Sequence, residues 1–261
     1  MRSIDIHAHL TPQCFIKAMR EGKEWHGVKP GEMRIGPRNS WNPQQRINDM
    51  DSLGVDVHVV STFGQYYYYE RDAQIINAMH RECNDEVHQM TVDYPDRFKG
   101  MALIPMQDVN LAIAELDRCV NQLGFVGAMI DDKVNGKTFD EPEFMPLWKA
   151  AEEMGAVILV HQGGATLVRQ RSSRYHLPNT IGNLVDRAVT FASFTFGGVM
   201  DACPDLKVCL CHGGGYTCFG IGRMDRAWET RNTARETCSQ PPSAYLNRFY
   251  YDCLTHSEES L

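Results

Sequence analysis

Four histidines stand at or directly after short apolar runs of the chain. His7 and His9 lie in the run that begins at Ile4, which predicts a buried strand that ends near Thr11. Side chains two residues apart on a strand point to the same side, so these two imidazoles are placed to share one metal ion. His161 and His212 follow two further strand-like runs. Because neutral imidazole suits zinc, we expect a metal centre with an open ligand position.

A glycine-rich turn follows one of these histidines, in the sequence His212-Gly213-Gly214-Gly215. Three glycines permit a sharp turn and a close backbone approach before the next helix. The turn predicts that the His212 imidazole lies at a helix N-terminus over an open cavity. A histidine there can act as a general acid or base near neutral pH. A plain glycine turn explains the glycines but not the histidine.

Two arginines and a group of aromatic residues have two interpretations each. Arg46 and Arg223 lie on predicted helices, where arginine is usually a surface residue, but guanidinium groups would also hold a substrate carboxylate. Trp41 and the run 66–69 of tyrosines stand near predicted loop mouths. They could pack on a flat substrate or on the rest of the protein.

Other histidines and the cysteines have simpler interpretations. His58 lies within a predicted strand, which favours packing, whereas His80 and His88 fall on a long helix and are expected to be solvated. His176 could line the site. The nine cysteines include no CxxC pair and are interpreted as small buried residues, although a soft-metal site at residues 209–212 is an alternative.

The elements that must position these residues alternate between strands and helices. Seven βα-type units follow one another, which favours a parallel α/β barrel over an open doubly wound sheet. We expect one domain over 1–261, with a loop-rich insertion over 11–42. An eighth strand is missing, so we expect a fragment whose sheet edges would be exposed. The predicted helices cover 43–54, 72–93, 111–123, 143–154, 181–202 and 215–232, and the strands 2–9, 55–62, 98–104, 125–130, 156–161, 206–211 and 248–252.

Composition limits the classes of partner. The 261 residues are 43% hydrophobic and 23% charged, with a net charge of −7. There is no basic block, which argues against nucleic acid, and no apolar run of the roughly 18 residues that a membrane helix needs. The N-terminus does not resemble a signal peptide, so we expect a cytoplasmic protein.

Six segments of the chain occur in the order typical of one family. The segments are 5–9, 41–46, 94–98, 125–127, 159–161 and 208–215. A His-x-His pair alone is a weak signal, but the ordered set is specific. On these segments the chain resembles the amidohydrolase-2 (amidohydrolase-related) family over essentially its whole length, and within it the non-oxidative aromatic-acid decarboxylases.

The resemblance implies a distorted TIM barrel, (β/α)8, with zinc, or alternatively manganese, held by three histidines. It implies His212 as the acid/base and Arg46 as a clamp for the substrate carboxylate. It implies that Arg223 reaches into a neighbouring subunit of a homodimer. The family's further aspartate ligand has no match here, because Asp252 belongs to the preceding strand. The implied metal ligands are His7, His9 and His161.

We therefore expect a metal-dependent, O2-independent decarboxylase of an aromatic or unsaturated carboxylic acid, with a small-molecule carboxylate substrate and no organic cofactor. Two alternatives use the same scaffold. One is a hydrolase or hydratase that acts on a lactone or an unsaturated dicarboxylate. The other is a metal-binding barrel without turnover.

Overall fold

The computed structural model describes residues 2–32 and 41–260. The chain divides into two compact units, 1–129 and 130–261. Part of the predicted insertion, residues 33–40, lies outside the described residues. The prediction of a single domain over 1–261 stays a prediction.

The first unit is a parallel sheet with helices between its strands. The strands are adjacent in chain order, and the register pairs Ile4 with Val57 and His9 with Ser61. The elements are β1 (Ile4–Leu10), α1 (Gln13–Arg20), α2 (Pro43–Leu53), β2 (Val57–Thr62), α3 (Ala73–Asp93), β3 (Phe98–Leu103), α4 (Val109–Asp117) and all but the last residue of β4 (Gly127–Ile130), since Ile130 belongs to the second unit.

Local sequence explains where α2 begins and ends. The Asn42 side chain accepts a hydrogen bond from the Gln45 backbone N–H, and Pro43 occupies the first helical position. Gly54 ends the helix in the left-handed conformation, at φ +69°. The predicted helix over 43–54 is therefore confirmed.

The second unit is built in the same way. Strands β5, β6 and β7 are parallel and adjacent in chain order. The backbone N–H of His161 donates to Ile130, the last residue of β4. The elements are α5 (Met145–Glu153), β5 (Val157–Val160), α6 (Asn183–Phe196), α7 (Val199–Ala202), β6 (Lys207–Leu210), α8 (Thr217–Thr230) and β7 (Phe249–Tyr251).

The predicted helix over 181–202 is two helices, α6 and α7. Gly198 stands between them with a φ of +74°. A Cβ atom there would lie 2.8 Å from the backbone oxygen of Thr237. The chain therefore turns at this glycine instead of continuing one helix.

Each unit has an apolar core. In the second unit Trp148 is fully buried against Phe139 and Phe194, with ring centroids 5.4 and 5.1 Å away, and its indole N–H donates to the Phe139 carbonyl at 2.9 Å. In the first unit Phe15 of α1 packs edge-on against Trp25 and Tyr66. Within the predicted loop-rich insertion over 11–42, residues 13–20 form helix α1.

The predicted class, α/β with parallel strands, is confirmed, and the described residues hold seven strands. Closure into a distorted (β/α)8 barrel stays a prediction. Among the described residues, no helix combines the length and the apolar character needed to cross a membrane.

Candidate active site

His7 and His9 lie on β1, and this strand contains a bulge. Asp5 pairs with His58 on β2 but Ala8 pairs with Val60, so β1 carries one extra residue between the two pairs. The Asp5 carboxylate accepts a hydrogen bond from the His7 backbone N–H at 2.8 Å. A bulge redirects side chains, and here the two imidazole centroids lie 4.9 Å apart. The two imidazoles therefore lie close together, as their spacing predicts, and their role as metal ligands stays a prediction.

The second imidazole of this pair is oriented by its neighbours. His9 Nδ1 is hydrogen-bonded to the hydroxyl of Ser61, which stands opposite on β2, at 2.9 Å. Such a bond fixes the ring and leaves Nε2 for a metal. The buried Arg46 guanidinium donates through Nη2 to the backbone carbonyl of His9. The structure therefore ties Arg46 to the end of β1.

His161 and His212 come together in the second unit. His161 directly follows β5 and His212 is the second residue after β6, and their ring centroids lie 5.5 Å apart. The Val160 carbonyl accepts a hydrogen bond from the Cys211 backbone N–H at 3.3 Å, so the backbones that precede the two histidines are joined. His161 is buried and His212 is half-buried.

Close backbone contacts require glycine in the turn after His212. Gly213 and Gly214 have φ values of +60° and +74°, and Gly215 has φ +61° and ψ −134°. A Cβ atom on Gly215 would collide with the backbone oxygen of Leu184 on α6. The predicted position of His212 at a helix N-terminus was wrong, because α8 begins five residues later at Thr217 and residues 212–214 form a separate 3-10 turn.

A cavity of about 1270 Å³ lies in front of this turn. Its walls come from α6, α8 and the residues after β7, and they include His212 and Tyr216. Phe219 of α8 is 94% exposed, and Arg223 on the same helix is also exposed. The structure thus places an imidazole on the wall of a cavity, as the sequence predicts.

Two aspartates that sequence reasoning missed follow β4. Asp132 forms an ion pair with Arg187 of α6 at 2.5 Å and another with Lys133 at 3.1 Å. Burial, and then the charge of Asp132, raise the pKa of the Asp131 carboxyl to about 7. Their position at the end of a parallel strand is the signal that could have identified them.

Asp252 has a backbone-binding role at the end of β7. Its carboxylate accepts hydrogen bonds from the backbone N–H groups of Gly213 at 2.9 Å and Leu254 at 3.2 Å. Beside it, burial raises the pKa of the Cys211 thiol well above its usual value, and that of Cys209 to about 12. Both are buried, as predicted for small apolar residues.

Four other histidines, His58, His80, His88 and His176, lie in different environments. His58 is half-buried, with Nε2 3.5 Å from an Asp5 oxygen. The solvated interpretation of His80 was wrong, because this side chain is fully buried and its Nε2 lies 2.9 Å from the Tyr66 carbonyl oxygen. His88 is half-buried with Nδ1 3.0 Å from the Leu123 carbonyl oxygen, and His176 is exposed.

Three of the four tyrosines in the run 66–69 are buried. Tyr66, Tyr67 and Tyr69 are buried, and the rings of Tyr67 and Tyr69 stack at 5.3 Å. Tyr66 packs on Phe15. The packing interpretation is therefore confirmed for Tyr66.

Comparison with known proteins identifies the family. The amidohydrolase family model matches residues 4–246. A 2-amino-3-carboxymuconate-6-semialdehyde decarboxylase of Dictyostelium discoideum is 30% identical over 99% of this chain and 76% of its own length. The chain belongs to the amidohydrolase family. The predicted resemblance is therefore confirmed, and the chain is an enzyme of this superfamily.

Solved structures of two decarboxylases are similar to this chain. A 5-carboxyvanillate decarboxylase from Sphingomonas paucimobilis is 25% identical, with a TM-score of 0.81 over 96% of this chain and 80% of that one. A dihydroxybenzoic acid decarboxylase from Polaromonas sp., solved with bound manganese and the inhibitor 2-nitroresorcinol, has a TM-score of 0.76 at 24% identity over 96% of this chain and 78% of that one. The Polaromonas structure shows the shared fold, and the Dictyostelium and Sphingomonas relatives confirm the predicted class, a decarboxylase.

Proposed function

We propose that this amidohydrolase is a metal-dependent decarboxylase of an aromatic or unsaturated carboxylic acid, with His212 as its acid/base. The observation that carries the proposal is the position of four imidazoles, two from the middle of β1 onward and two shortly after β5 and β6. Two of them lie 4.9 Å apart on β1, and two lie 5.5 Å apart after β5 and β6. Functional groups of parallel α/β folds gather at the C-terminal ends of strands.

The proposed metal ligands are His7, His9 and His161. Three imidazoles are a donor set that could hold one ion, and neutral imidazole suits zinc as well as other divalent transition metals. The bond from Ser61 to His9 supports this role, because ligand histidines usually bind a second group through the other ring nitrogen. Zinc is the proposed ion, with manganese as the alternative, since the Polaromonas relative contains it.

The reaction needs a proton at one carbon and no oxidant. A proton adds to the carbon that bears the carboxylate, the bond to the carboxylate carbon breaks, CO2 leaves, and the electron pair restores the conjugated system. His212 would hold the transferred proton on a ring nitrogen at the wall of its cavity. A bound divalent metal would supply Lewis-acid polarisation of the anionic substrate. No organic cofactor or O2 is needed.

The two arginines are proposed to bind the substrate carboxylate. Arg46 is held beside His9 by its bond to the backbone, which would place its charge near the proposed ligands. Arg223 is exposed on α8, which would allow it to reach the site of a second copy. We propose a homodimer on this basis and on the resemblance, and a cytoplasmic protein as the sequence predicts.

Release of CO2 from a panel of hydroxybenzoates and carboxymuconate-type acids tests the proposal. The apoprotein should regain activity when Zn²⁺ or Mn²⁺ is added. His161→Ala should lose bound metal, whereas His212→Ala should retain metal and lose turnover, by about 10²–10⁴-fold for a general acid/base.

His88→Ala is the matched control, because this half-buried histidine lies on α3 outside the proposed site. It should retain both metal and activity. Hydrated or ring-opened products without CO2 would favour the hydratase or hydrolase alternative. Absence of stoichiometric metal, with no effect of His161→Ala, would favour a non-catalytic protein.

A further inference from the structure

We propose that the buried ion pair between Arg187 and Asp132 positions His161 and His212 relative to each other. Both partners lie within the second unit, and neither is a proposed ligand or acid/base. The inference rests on the proposed function, in which His161 binds the metal and His212 moves the proton.

The Arg187 guanidinium contacts one residue at the end of β5 and one just after β4. The Arg187 side chain is fully buried on α6, and its Nη2 lies 2.5 Å from the Asp132 carboxylate, just after β4. Its Nη1 donates to the Val160 carbonyl, the last of β5, at 2.5 Å. The same carbonyl accepts the backbone N–H of Cys211. Arg187 therefore binds at the junction of β4, β5 and the residue that follows β6.

The two residues at this junction directly precede the two histidines. A displacement of the Val160 carbonyl would move His161, and through the bond to Cys211 it would also move His212. The turn after His212 packs on the same arginine, since a Cβ on Gly215 would lie 2.8 Å from the Arg187 Cβ. Both histidines thus depend on one side chain.

The charges around Asp132 keep its carboxyl group ionised. Burial raises the pKa of the Asp132 carboxyl, but Arg187 and Lys133 lower it by more, so the pKa lies below its ordinary value. A buried ion pair often stabilises a fold no better than apolar residues of the same volume. What apolar residues cannot supply is the planar fork of arginine, which binds the carboxylate and the carbonyl in fixed directions. The fixed directions of these hydrogen bonds therefore explain the buried ion pair better than a gain in folding stability does.

Two variants separate positioning from stability. Arg187→Lys keeps the charge and loses the fork, whereas Arg187→Met combined with Asp132→Leu removes both charges and keeps the volume. For each we would measure the Mn²⁺ dissociation constant of the apoprotein by calorimetry, the free energy of unfolding, and kcat and KM as functions of pH.

We expect Arg187→Lys to weaken Mn²⁺ binding by about 10–100-fold, as is typical when a group that orients a ligand is lost. It should lower kcat more than it changes KM, and it should shift the pH profile. The double variant should recover the unfolding free energy of the wild type but not its metal affinity or kcat.

Arg118→Lys is the matched control. Arg118 forms a forked ion pair with the buried Glu115 in the first unit, at 2.7 and 2.9 Å. This variant should lose stability and retain Mn²⁺ affinity and the pH profile.

Recovery of metal affinity and kcat together with stability in the double variant would overturn the inference, as would an unchanged dissociation constant in Arg187→Lys. Failure of the wild-type protein to bind Mn²⁺ or Zn²⁺ would instead overturn the proposed metal site on which the inference rests.

Discussion

Replacement of Gly215 by alanine tests whether the turn after His212 depends on glycine. The backbone there has φ +61° and ψ −134°, a combination that residues with a Cβ rarely adopt. The added Cβ would collide with the Leu184 carbonyl oxygen and lie 2.8 Å from the Arg187 Cβ. Backbone and Cβ atoms of a packed helix cannot rotate away, so the turn itself must shift.

Two costs determine the expected magnitude. An unfavourable backbone conformation costs about 1–3 kcal/mol, and overpacking in a well-packed region costs about 1–3 kcal/mol. Gly215→Ala should therefore lower the free energy of unfolding by about 2–6 kcal/mol, a large share of the roughly 5–15 kcal/mol of a typical domain. Because the turn carries His212, activity should fall in the fraction that remains folded.

Urea denaturation followed by circular dichroism measures this loss, with Gly222→Ala as the control. Gly222 lies within α8, and a Cβ atom added there would have no contact within 4 Å, so alanine should stabilise the helix by about 0.5–1 kcal/mol. A Gly215→Ala protein whose unfolding free energy stays within about 0.5 kcal/mol of the wild type would refute the reasoning.

Three further predictions concern stability. Trp148→Ala should lower the unfolding free energy by about 3–5 kcal/mol in urea titrations, whereas Leu53→Ala, at a 76% exposed position, should change it by less than about 0.5 kcal/mol; similar losses would contradict the described core. Asp72→Ala removes the acceptor for two backbone N–H groups at the start of α3 and should lower the melting temperature, at a cost of about 1 kcal/mol; an unchanged melting temperature would contradict this role. The Asp131 pKa of about 7 exceeds the unfolded value of about 3.9, so its contribution to stability is present at low pH and is lost as pH rises from about 4 through 7. Asp131→Asn should therefore reduce the decrease in unfolding free energy that denaturation curves show between these pH values. An unchanged dependence of the unfolding free energy on pH would contradict the raised pKa.

Local signals explain which elements could be predicted. Helix α2 was predictable because Asn42, Pro43 and Gly54 each act within a few residues of the helix ends. Helix α1 was not, because Pro12 precedes it and no side chain caps its first turn. The burial of His80 could have been predicted, since this residue shares a helical face with the buried Ile76 and Cys83.

The sequence predicts the residue types of the site but not the contacts that hold those residues in place. His161 and His212 could be identified because each follows an apolar run. The bulge in β1 depends on the pairing with β2 and leaves no periodic signal. The Arg187–Asp132 pair joins residues 55 positions apart, so only the folded chain reveals it.

The most direct test of the proposed function is product analysis in D2O, with metal-loaded protein and each acid of the panel. Mass spectrometry and NMR would measure CO2 released per substrate consumed and deuterium at the carbon that carried the carboxylate. The account predicts one CO2 and one deuterium per product molecule, both abolished in His212→Ala. Substrate consumption without CO2, or CO2 release unaffected by His212→Ala, would contradict it.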